Sequence, residues 1–159
     1  QINMVGYHLP LDAHPTLGNN AQLAQLLGWK LESLAGEQNL LNIGRLNQPC
    51  TLDQLADDLT TKLQHKPIII GDSNKLLHRI AWCTGGAQNF FQVAIEAGVD
   101  VFVTGEISES QYHMAQESGV AFISAGHHAT ERYGVQALGA ALAKKFNTNI
   151  YFFDEKNPA

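Results

Sequence analysis

The chain has 159 residues and a net charge of −5 at pH 7, with 45% hydrophobic and 16% charged residues. This length suits one domain with a sizeable core or one lobe of a larger protein, and the acidic balance argues against general nucleic-acid binding, because phosphate contacts need a basic face. No run approaches the ~18 apolar residues of a membrane span and no signal-peptide pattern is present, so we expect a soluble cytoplasmic protein.

The first predicted element is a strand over residues 4–11, with Asp12 at its carboxyl end. The loop that follows is rich in turn-forming residues. It leads to a predicted helix over 21–27, for which Asn19 or Asn20 is a plausible N-cap. A strand this close to the first residue indicates that the chain is part of a longer protein.

Residues 29–78 form a less regular stretch, and 29–48 show no clear period. Thr51 and Gln54 have the spacing of a capping box, so we predict a helix that begins after Thr51. The apolar face of this helix is formed by Leu52, Leu55, Ala56, Leu59 and Leu63. A short strand is predicted over 67–70.

A regular alternation of strands and helices begins near residue 79 and continues to the end of the chain. Apolar runs predict strands over 80–84, 99–103, 120–124 and 150–153. Helical periodicity between them predicts helices over 87–97, 108–117 and 128–145. Strands that alternate with helices of this length indicate βαβ units, and near-continuous apolar strands indicate a sheet that is covered on both faces. The predicted fold class is therefore α/β, with a mainly parallel sheet.

Small and polar residues follow each of the main predicted strands. Ligands of open α/β sheets bind beyond the carboxyl ends of the strands, and a purely structural protein does not need such a concentration of polar groups there. We therefore predict a functional site at this edge, drawn from Asp12, His14, Gly85, Gly86, Gln88, Thr104, Gly105, Glu106, Gly126, His127 and Glu131.

The segment 126–131 has the sequence GHHATE and is the most informative part of this edge. Its His127 and Glu131 are four residues apart, so a helix that starts here places both side chains on one face. An imidazole and a carboxylate in this position can bind a divalent metal, or they can serve as a helix cap and a surface pair. Asp12, at the end of a neighbouring predicted strand, favours the metal site.

Three further features have both a functional and a structural interpretation. Glu106 can act as a general acid or base or as a ligand, or its charge can stabilise the start of a helix. His113, in the middle of a predicted helix, can face a cleft or pack against the core, and we favour packing. Gly85 and Gly86 can present backbone amides to a phosphate group, or they can allow a tight turn.

Three long blocks of the sequence resemble one known family. The blocks are HLPLDAHPTLGNNAQLAQLLG at 8–28, DVFVTGEISE at 100–109 and AGHHATERYGVQAL at 125–138. They resemble the GTP cyclohydrolase 1 type 2 homologue family, the Nif-three-like proteins, and the resemblance covers essentially the whole chain. It implies a Nif-three-like α/β fold, a site with two divalent metal ions such as Zn, Mn or Fe, and a homohexameric ring whose sites face an inner cavity.

The resemblance also implies which residues hold the metal ions. The family uses two adjacent upstream histidines, an aspartate, and the His and Glu of the GHxxTE segment. Carried over by position, the last three are Asp12, His127 and Glu131, whereas the upstream histidine pair has no counterpart in this sequence. We therefore expect residues 1–159 to be the C-terminal two-thirds of a family member. We also expect this part to bind metal weakly or not at all, since three ligands cannot fill two coordination spheres.

The first functional hypothesis is a metal-dependent hydrolase of the GTP cyclohydrolase type that acts on a nucleotide-like or phosphorylated small molecule. In this hypothesis Glu106 or His113 transfers protons. The backbone amides of Gly85, Gly86 and Gly105 face the anionic substrate. The alternative hypothesis is a non-enzymatic metal-binding or interaction module whose ring contacts a protein partner or nucleic acid.

Overall fold

The structure, a computed structural model, describes residues 2–155 and 157. In chain order its elements are α1 (Leu9–Asp12), α2 (Asn19–Leu27), β1 (Lys30–Ala35), β2 (Leu41–Thr51), α3 (Leu52–Leu63), β3 (Ile68–Ile70), β4 (Leu76–Trp82), α4 (Phe91–Glu96), β5 (Val101–Thr104), α5 (Glu109–Ser118), β6 (Ala121–Ser124) and α6 (His127–Phe146). Short 3₁₀ helices over Glu37–Asn39 and Gln88–Phe90 precede β2 and α4.

The six strands form one mixed sheet in the order β1-β2-β4-β5-β6-β3. The predicted α/β class is confirmed, and the strands β4, β5 and β6 pair in parallel, as the alternation of strands and helices predicts. The prediction of a mainly parallel sheet is wrong, because the other three pairings are antiparallel. All three involve strands from the stretch over 29–78, in which β1 and β2 form a hairpin and β3 pairs with β6.

The parallel strands separate two hydrophobic cores because alternate side chains of a strand point to opposite faces. On β5, Val101 and Val103 lie in the core that is covered by α2, α3 and α6. Phe102, between them, lies in the core that is covered by α4 and α5. The sheet is therefore buried on both faces, and its open edge at the carboxyl ends of the parallel strands is left for polar side chains.

The predicted capping box at the start of α3 is confirmed. The Thr51 amide donates a 2.9 Å hydrogen bond to Oε1 of Gln54, and the Gln54 amide donates a 3.3 Å hydrogen bond to the Thr51 hydroxyl. The five apolar residues predicted for one face of this helix are all buried. The helix packs them into the same core as the odd-numbered residues of β5.

The longest helix, α6, runs from His127 to Phe146 and starts one residue before the predicted position. It packs against α2 with little space between the two backbones: a Cβ atom added at Gly134 would lie 2.6 Å from Oδ1 of Asn19. This close approach requires a residue without a side chain. None of the described helices is both long enough and apolar enough to cross a membrane.

The N-terminal strand predicted over 4–11 is wrong. Residues 2–8 have no regular structure, and the residues that follow form the single turn α1, with Pro10 in its first positions. A proline suits the start of a helix, because its fixed φ is already helical and its missing N–H has no partner to lose there. Asp12 is consequently the last residue of a helical turn rather than the end of a strand.

The C-terminal strand predicted over 150–153 is also wrong. These residues lie outside the sheet, and Phe153 is 86% exposed. A further βαβ unit would place a new parallel strand beside β6, but β3 already occupies that position and pairs with β6 in antiparallel fashion. The apolar run therefore has no strand to pair with at this end of the sheet.

Candidate functional site

The loops after β4, β5 and β6 meet at one edge of the sheet, as the strand-end rule predicts. The amide of Gly105 donates a 2.8 Å hydrogen bond to the carbonyl of Gly85, and the amide of Gly126 donates a 3.1 Å hydrogen bond to the carbonyl of Gly105. The Thr104 hydroxyl donates a 3.0 Å hydrogen bond to the same Gly85 carbonyl. These bonds stack the three loops and fix the side chains that follow them.

The predicted anion-binding role of the glycine amides is wrong for Gly85 and Gly105, because other groups of the protein occupy both N–H groups. The Gly85 amide donates to the Thr130 hydroxyl at 3.0 Å, and the Gly105 amide donates to the Gly85 carbonyl. Gly85 instead leaves room for a side chain: a Cβ atom there would lie 1.9 Å from Oε1 of Glu131. Its φ of +70° is a second reason for glycine at this position.

His127 lies at the centre of the site, between two carboxylates. Its Nδ1 atom lies 2.6 Å from Oε1 of Glu106, and its Nε2 atom lies 3.0 Å from Oε2 of Glu131. The predicted placement of His127 and Glu131 on one face of a helix is confirmed. Glu106 comes from the neighbouring loop, so one imidazole connects two strand ends.

The three groups perturb one another's ionisation. Burial disfavours the charged form of His127, but its hydrogen bond to Glu106 and the charge of Glu131 outweigh this effect and raise the pKa of His127. The hydrogen bond from His127 lowers the pKa of Glu106. Burial raises the pKa of Glu131, and the negative charge of Asp12 raises it further. Repulsion between these two carboxylates shows that Asp12 acts on the same site.

Asp12 shares a cavity of about 230 Å³ with His127 and Glu131. It is buried, and its Oδ1 atom accepts a 2.6 Å hydrogen bond from Nδ2 of Asn19. The structure thus brings together the three residues that the resemblance implies as ligands, although it places Asp12 on a helix rather than on a strand.

Asn19 is a site residue that the sequence reasoning misassigned. Asn19 and Asn20 lie inside α2, and the N-cap of this helix is Gly18, so the capping prediction is wrong. The Asn19 amide group donates to Asp12, and its Oδ1 atom accepts a 2.7 Å hydrogen bond from the Gly134 amide. It therefore ties α1 to the middle of α6, a contact between distant parts of the sequence that no local pattern indicates.

Two further polar side chains lie near this group. Thr84 lines the cavity that contains Asp12, and its buried Oγ1 has no hydrogen-bond partner among the described residues. Gln88 approaches Oε2 of Glu106 with its Nε2 atom at 3.4 Å. The sequence indicated Gln88 through its position after a strand, but gave no reason to single out Thr84.

The structure does not bring His113 into the site. It lies exposed on α5, where its ring contacts that of Tyr112 at a centroid distance of 5.4 Å. The interpretation of His113 as a packed side chain is therefore wrong. Its proposed role in proton transfer stays a prediction, to which this position lends no support.

The donor set fits a divalent metal in type but not in number. Imidazole nitrogen and carboxylate oxygen are suitable ligands, and Asp12, His127 and Glu131 provide one nitrogen and two carboxylates in one cavity. Among residues 2–155 and 157, however, no group of three or more His, Cys, Asp and Glu side chains is arranged as a metal-binding cluster. In this structure both ring nitrogens of His127 face carboxylate oxygens instead.

Comparison with known proteins agrees with the sequence resemblance. The GTP cyclohydrolase 1 type 2 homolog of Neisseria meningitidis serogroup B is 63% identical over 158 residues, which cover 99% of this chain and 64% of that protein. The protein of the same name from Escherichia coli strain K12 is 48% identical over 160 residues, with 99% and 64% covered. The chain therefore spans 64% of the length of these relatives.

Solved structures show the same fold. Protein ybgI, described as of unknown function, is 46% identical with a TM-score of 0.92, over 97% of this chain and 62% of that one. TTHA1606 from Thermus thermophilus is 33% identical with a TM-score of 0.78, over 96% and 60%. The family model of Duf34/NIF3 (NGG1p interacting factor 3) matches residues 1–158. The chain belongs to the Duf34/NIF3 family.

Proposed function

We propose that Asp12, His127 and Glu131 are ligands of a divalent metal site in a metal-dependent hydrolase that acts on a nucleotide-like or phosphorylated small molecule. The observation that carries the proposal is the position of His127, whose two ring nitrogens each meet a carboxylate. The name that the curated relatives carry, GTP cyclohydrolase 1 type 2 homolog, supports the choice of substrate class.

The contact with Glu106 supports a metal-binding role for the opposite ring nitrogen. When Nδ1 donates its proton to the Glu106 carboxylate, Nε2 of His127 carries the lone pair and faces Glu131. Metal-binding histidines are commonly oriented by such a carboxylate, which fixes the tautomer and increases the basicity of the ligand nitrogen. This geometry favours Glu106 as the residue that orients His127 over its predicted role in proton transfer.

The charge balance of the site also supports a bound cation. Asp12, Glu106 and Glu131 contribute three carboxylates around a single imidazole, and burial together with the charge of Asp12 raises the pKa of Glu131. A divalent cation between Asp12 and Glu131 would remove this repulsion and favour the ionised form of both groups. The buried Thr84 hydroxyl, which lacks a partner in the described part of the chain, gives a ligand in this cavity a hydrogen-bonding group.

The proposed site is a partial one. Three side chains can hold one ion and leave coordination positions open, whereas two ions need further ligands. The family resemblance assigns these ligands to an upstream histidine pair that this sequence does not contain. When bound, the metal would lower the pKa of a coordinated water and polarise the bond that is hydrolysed. The residues of this chain would hold the ion and fix the orientation of His127. A homohexameric ring with the sites at its inner cavity is part of the same proposal.

The hydrolase part of the proposal is tested by activity. Metal-loaded protein, produced at the full length of its relatives, would be assayed on GTP and on simple phosphate esters. We expect turnover that is lost in Asp12→Ala and in Glu131→Ala, with His78→Ala as a control, because His78 is exposed on β4. Protein that binds metal but turns over neither substrate class would contradict the hydrolase and favour the interaction module.

A further inference from the structure

A second cleft opens beside the first two turns of α6, next to the candidate metal site. It has a volume of about 630 Å³ and is lined by the end of α3, by His128 and Arg132 of α6, and by Asp154. The sequence analysis assigned no role to these residues. His128 and Arg132 are the direct neighbours in sequence of His127 and Glu131, so they point to an adjoining part of the same surface.

Arg132 is held in place on one side and faces an anion on the other. Its Nη2 atom donates a 2.6 Å hydrogen bond to the carbonyl of Leu63, at the end of α3, and its Nη1 atom lies 2.9 Å from Oδ2 of Asp154. The side chain is 16% exposed. A guanidinium group is charged at every relevant pH, and its planar N–H groups match the oxygens of carboxylates and phosphates.

Asp154 binds in the manner of a ligand oxyanion. Its Oδ1 atom lies 3.1 Å from Nε2 of His128, so its two oxygens contact two different side chains of α6. Asp154 belongs to a segment with no regular structure after α6, and its side chain is 43% exposed. Ion pairs at such exposure are weak, so an oxyanion from solution can compete with this carboxylate.

We propose that His128 and Arg132 form a binding site for an oxyanion group of a small-molecule ligand, a phosphate or a carboxylate, and that Asp154 occupies this site when the ligand is absent. The same two side chains also line a cleft of about 540 Å³ that contains Glu106, His127 and Glu131. A ligand whose anionic group binds Arg132 therefore lies along the wall that leads to the candidate metal site. Only this use as a substrate subsite rests on the proposed function.

The negative charges that face the site are Asp154 and Glu155, which both line the larger cleft. Removal of the Asp154 charge without loss of side-chain volume should therefore expose the site. The described chain contains a suitable control: Arg45 forms an ion pair with Glu32 across β1 and β2, far along the sheet from α6. Glu32→Gln releases an arginine in the same way without a cleft around it.

The test is a titration of inorganic phosphate, and separately of acetate, into isotope-labelled protein in buffer with a metal chelator, followed by NMR. We expect Asp154→Asn to bind phosphate about threefold or more tightly than the wild type. The added substitution Arg132→Gln should abolish this gain, and Arg132→Lys, which keeps the charge but not the planar group, should retain part of it. Stronger binding of phosphate than of acetate would assign the site to phosphate groups, and the reverse to carboxylates.

The proposal is overturned if Asp154→Asn gains no affinity for either anion, or if Glu32→Gln gains as much. It is also overturned if the double variant with Arg132→Lys binds as tightly as Asp154→Asn alone, since binding would then need only a positive charge. The chelator keeps the two proposals separate. A failure here leaves the metal site of Asp12, His127 and Glu131 untouched, and failure of that metal site leaves this result intact.

Discussion

The Nδ1 atom of His127 lies 2.6 Å from Oε1 of Glu106, although the two residues follow different strands and are 21 positions apart. The stacked loops after β4, β5 and β6 create this contact, because they hold the backbone of each loop by hydrogen bonds to its neighbour. The contact directs the other ring nitrogen of His127 toward Glu131. The orientation of one imidazole is therefore the link between the fold and the proposed chemistry.

Substitution of Glu106 by Gln should weaken metal binding without removing a ligand. A glutamine keeps the size of the side chain but is a weaker acceptor for the Nδ1 proton of His127. Loss of such an orienting partner costs roughly 10–100-fold in metal affinity. The affinity is measured by competition with a chromophoric chelator, and Glu96→Gln serves as the control, because Glu96 accepts a hydrogen bond from Gln92 away from the site.

Equal metal affinities of the Glu106→Gln variant and the wild type would contradict the orienting role. The ¹⁵N chemical shifts of the His127 ring provide a second measurement in the chain itself. We expect a reduced population of the Nδ1-protonated neutral tautomer in Glu106→Gln. An unchanged population would mean that the carboxylate does not select the tautomer.

The pair of His127 and Glu106 should make stability depend on pH in metal-free protein. The raised pKa of His127 adds stability that is complete below its unfolded value of about 6.5 and is lost as the pH rises through the folded pKa. The lowered pKa of Glu106 adds stability that is present above its unfolded value of about 4.3 and is lost as the pH falls. The difference in unfolding free energy between the wild type and Glu106→Gln should therefore be largest near pH 5–6.

Urea denaturation with a chelator present measures this difference at several pH values. We expect it to shrink both at pH 3 and at pH 9. A difference that stays constant from pH 5 to pH 9 would mean that the charge of His127 does not contribute to the effect of Glu106.

The aromatic cluster under the sheet should be a major source of stability. Phe102 is fully buried, and its ring lies 5.9 Å from that of Phe91 and 5.6 Å from that of Phe122. Phe102→Ala should reduce the free energy of unfolding by about 3–5 kcal/mol, since it removes apolar contacts and leaves a cavity. Phe146→Ala is the matched control, because that ring is 64% exposed at the end of α6. Similar losses in the two variants would show that Phe102 is not a core residue.

The regular part of the chain could be predicted because its signals are local. The apolar runs of β5 and β6 and the small residues that follow them indicate strand ends, and the parallel pairing of β4, β5 and β6 then places Glu106 and His127 together. The four-residue spacing of His127 and Glu131 is likewise a property of one helix. These features depend on short stretches of sequence and on one general rule of α/β sheets.

The features that could not be predicted depend on contacts between distant residues. Asp12 reaches the site through a helical turn and the amide of Asn19, which also binds the backbone of Gly134. The true role of Gly85 depends on the position of the Glu131 side chain. In each case the partner lies on another element, so the local pattern resembles an ordinary loop or cap.

The most direct test of the account is a titration of the chain with Zn²⁺ and Mn²⁺, compared across Asp12→Asn, His127→Ala, Glu131→Gln and the control His113→Ala. We predict weak binding of one ion by the wild type. Each of the first three variants should lose more than the roughly 10–100-fold that an orienting partner is worth, and His113→Ala should lose nothing, because His113 is exposed on α5. Unchanged binding in His127→Ala, or an equal loss in His113→Ala, would contradict the assignment of the metal site.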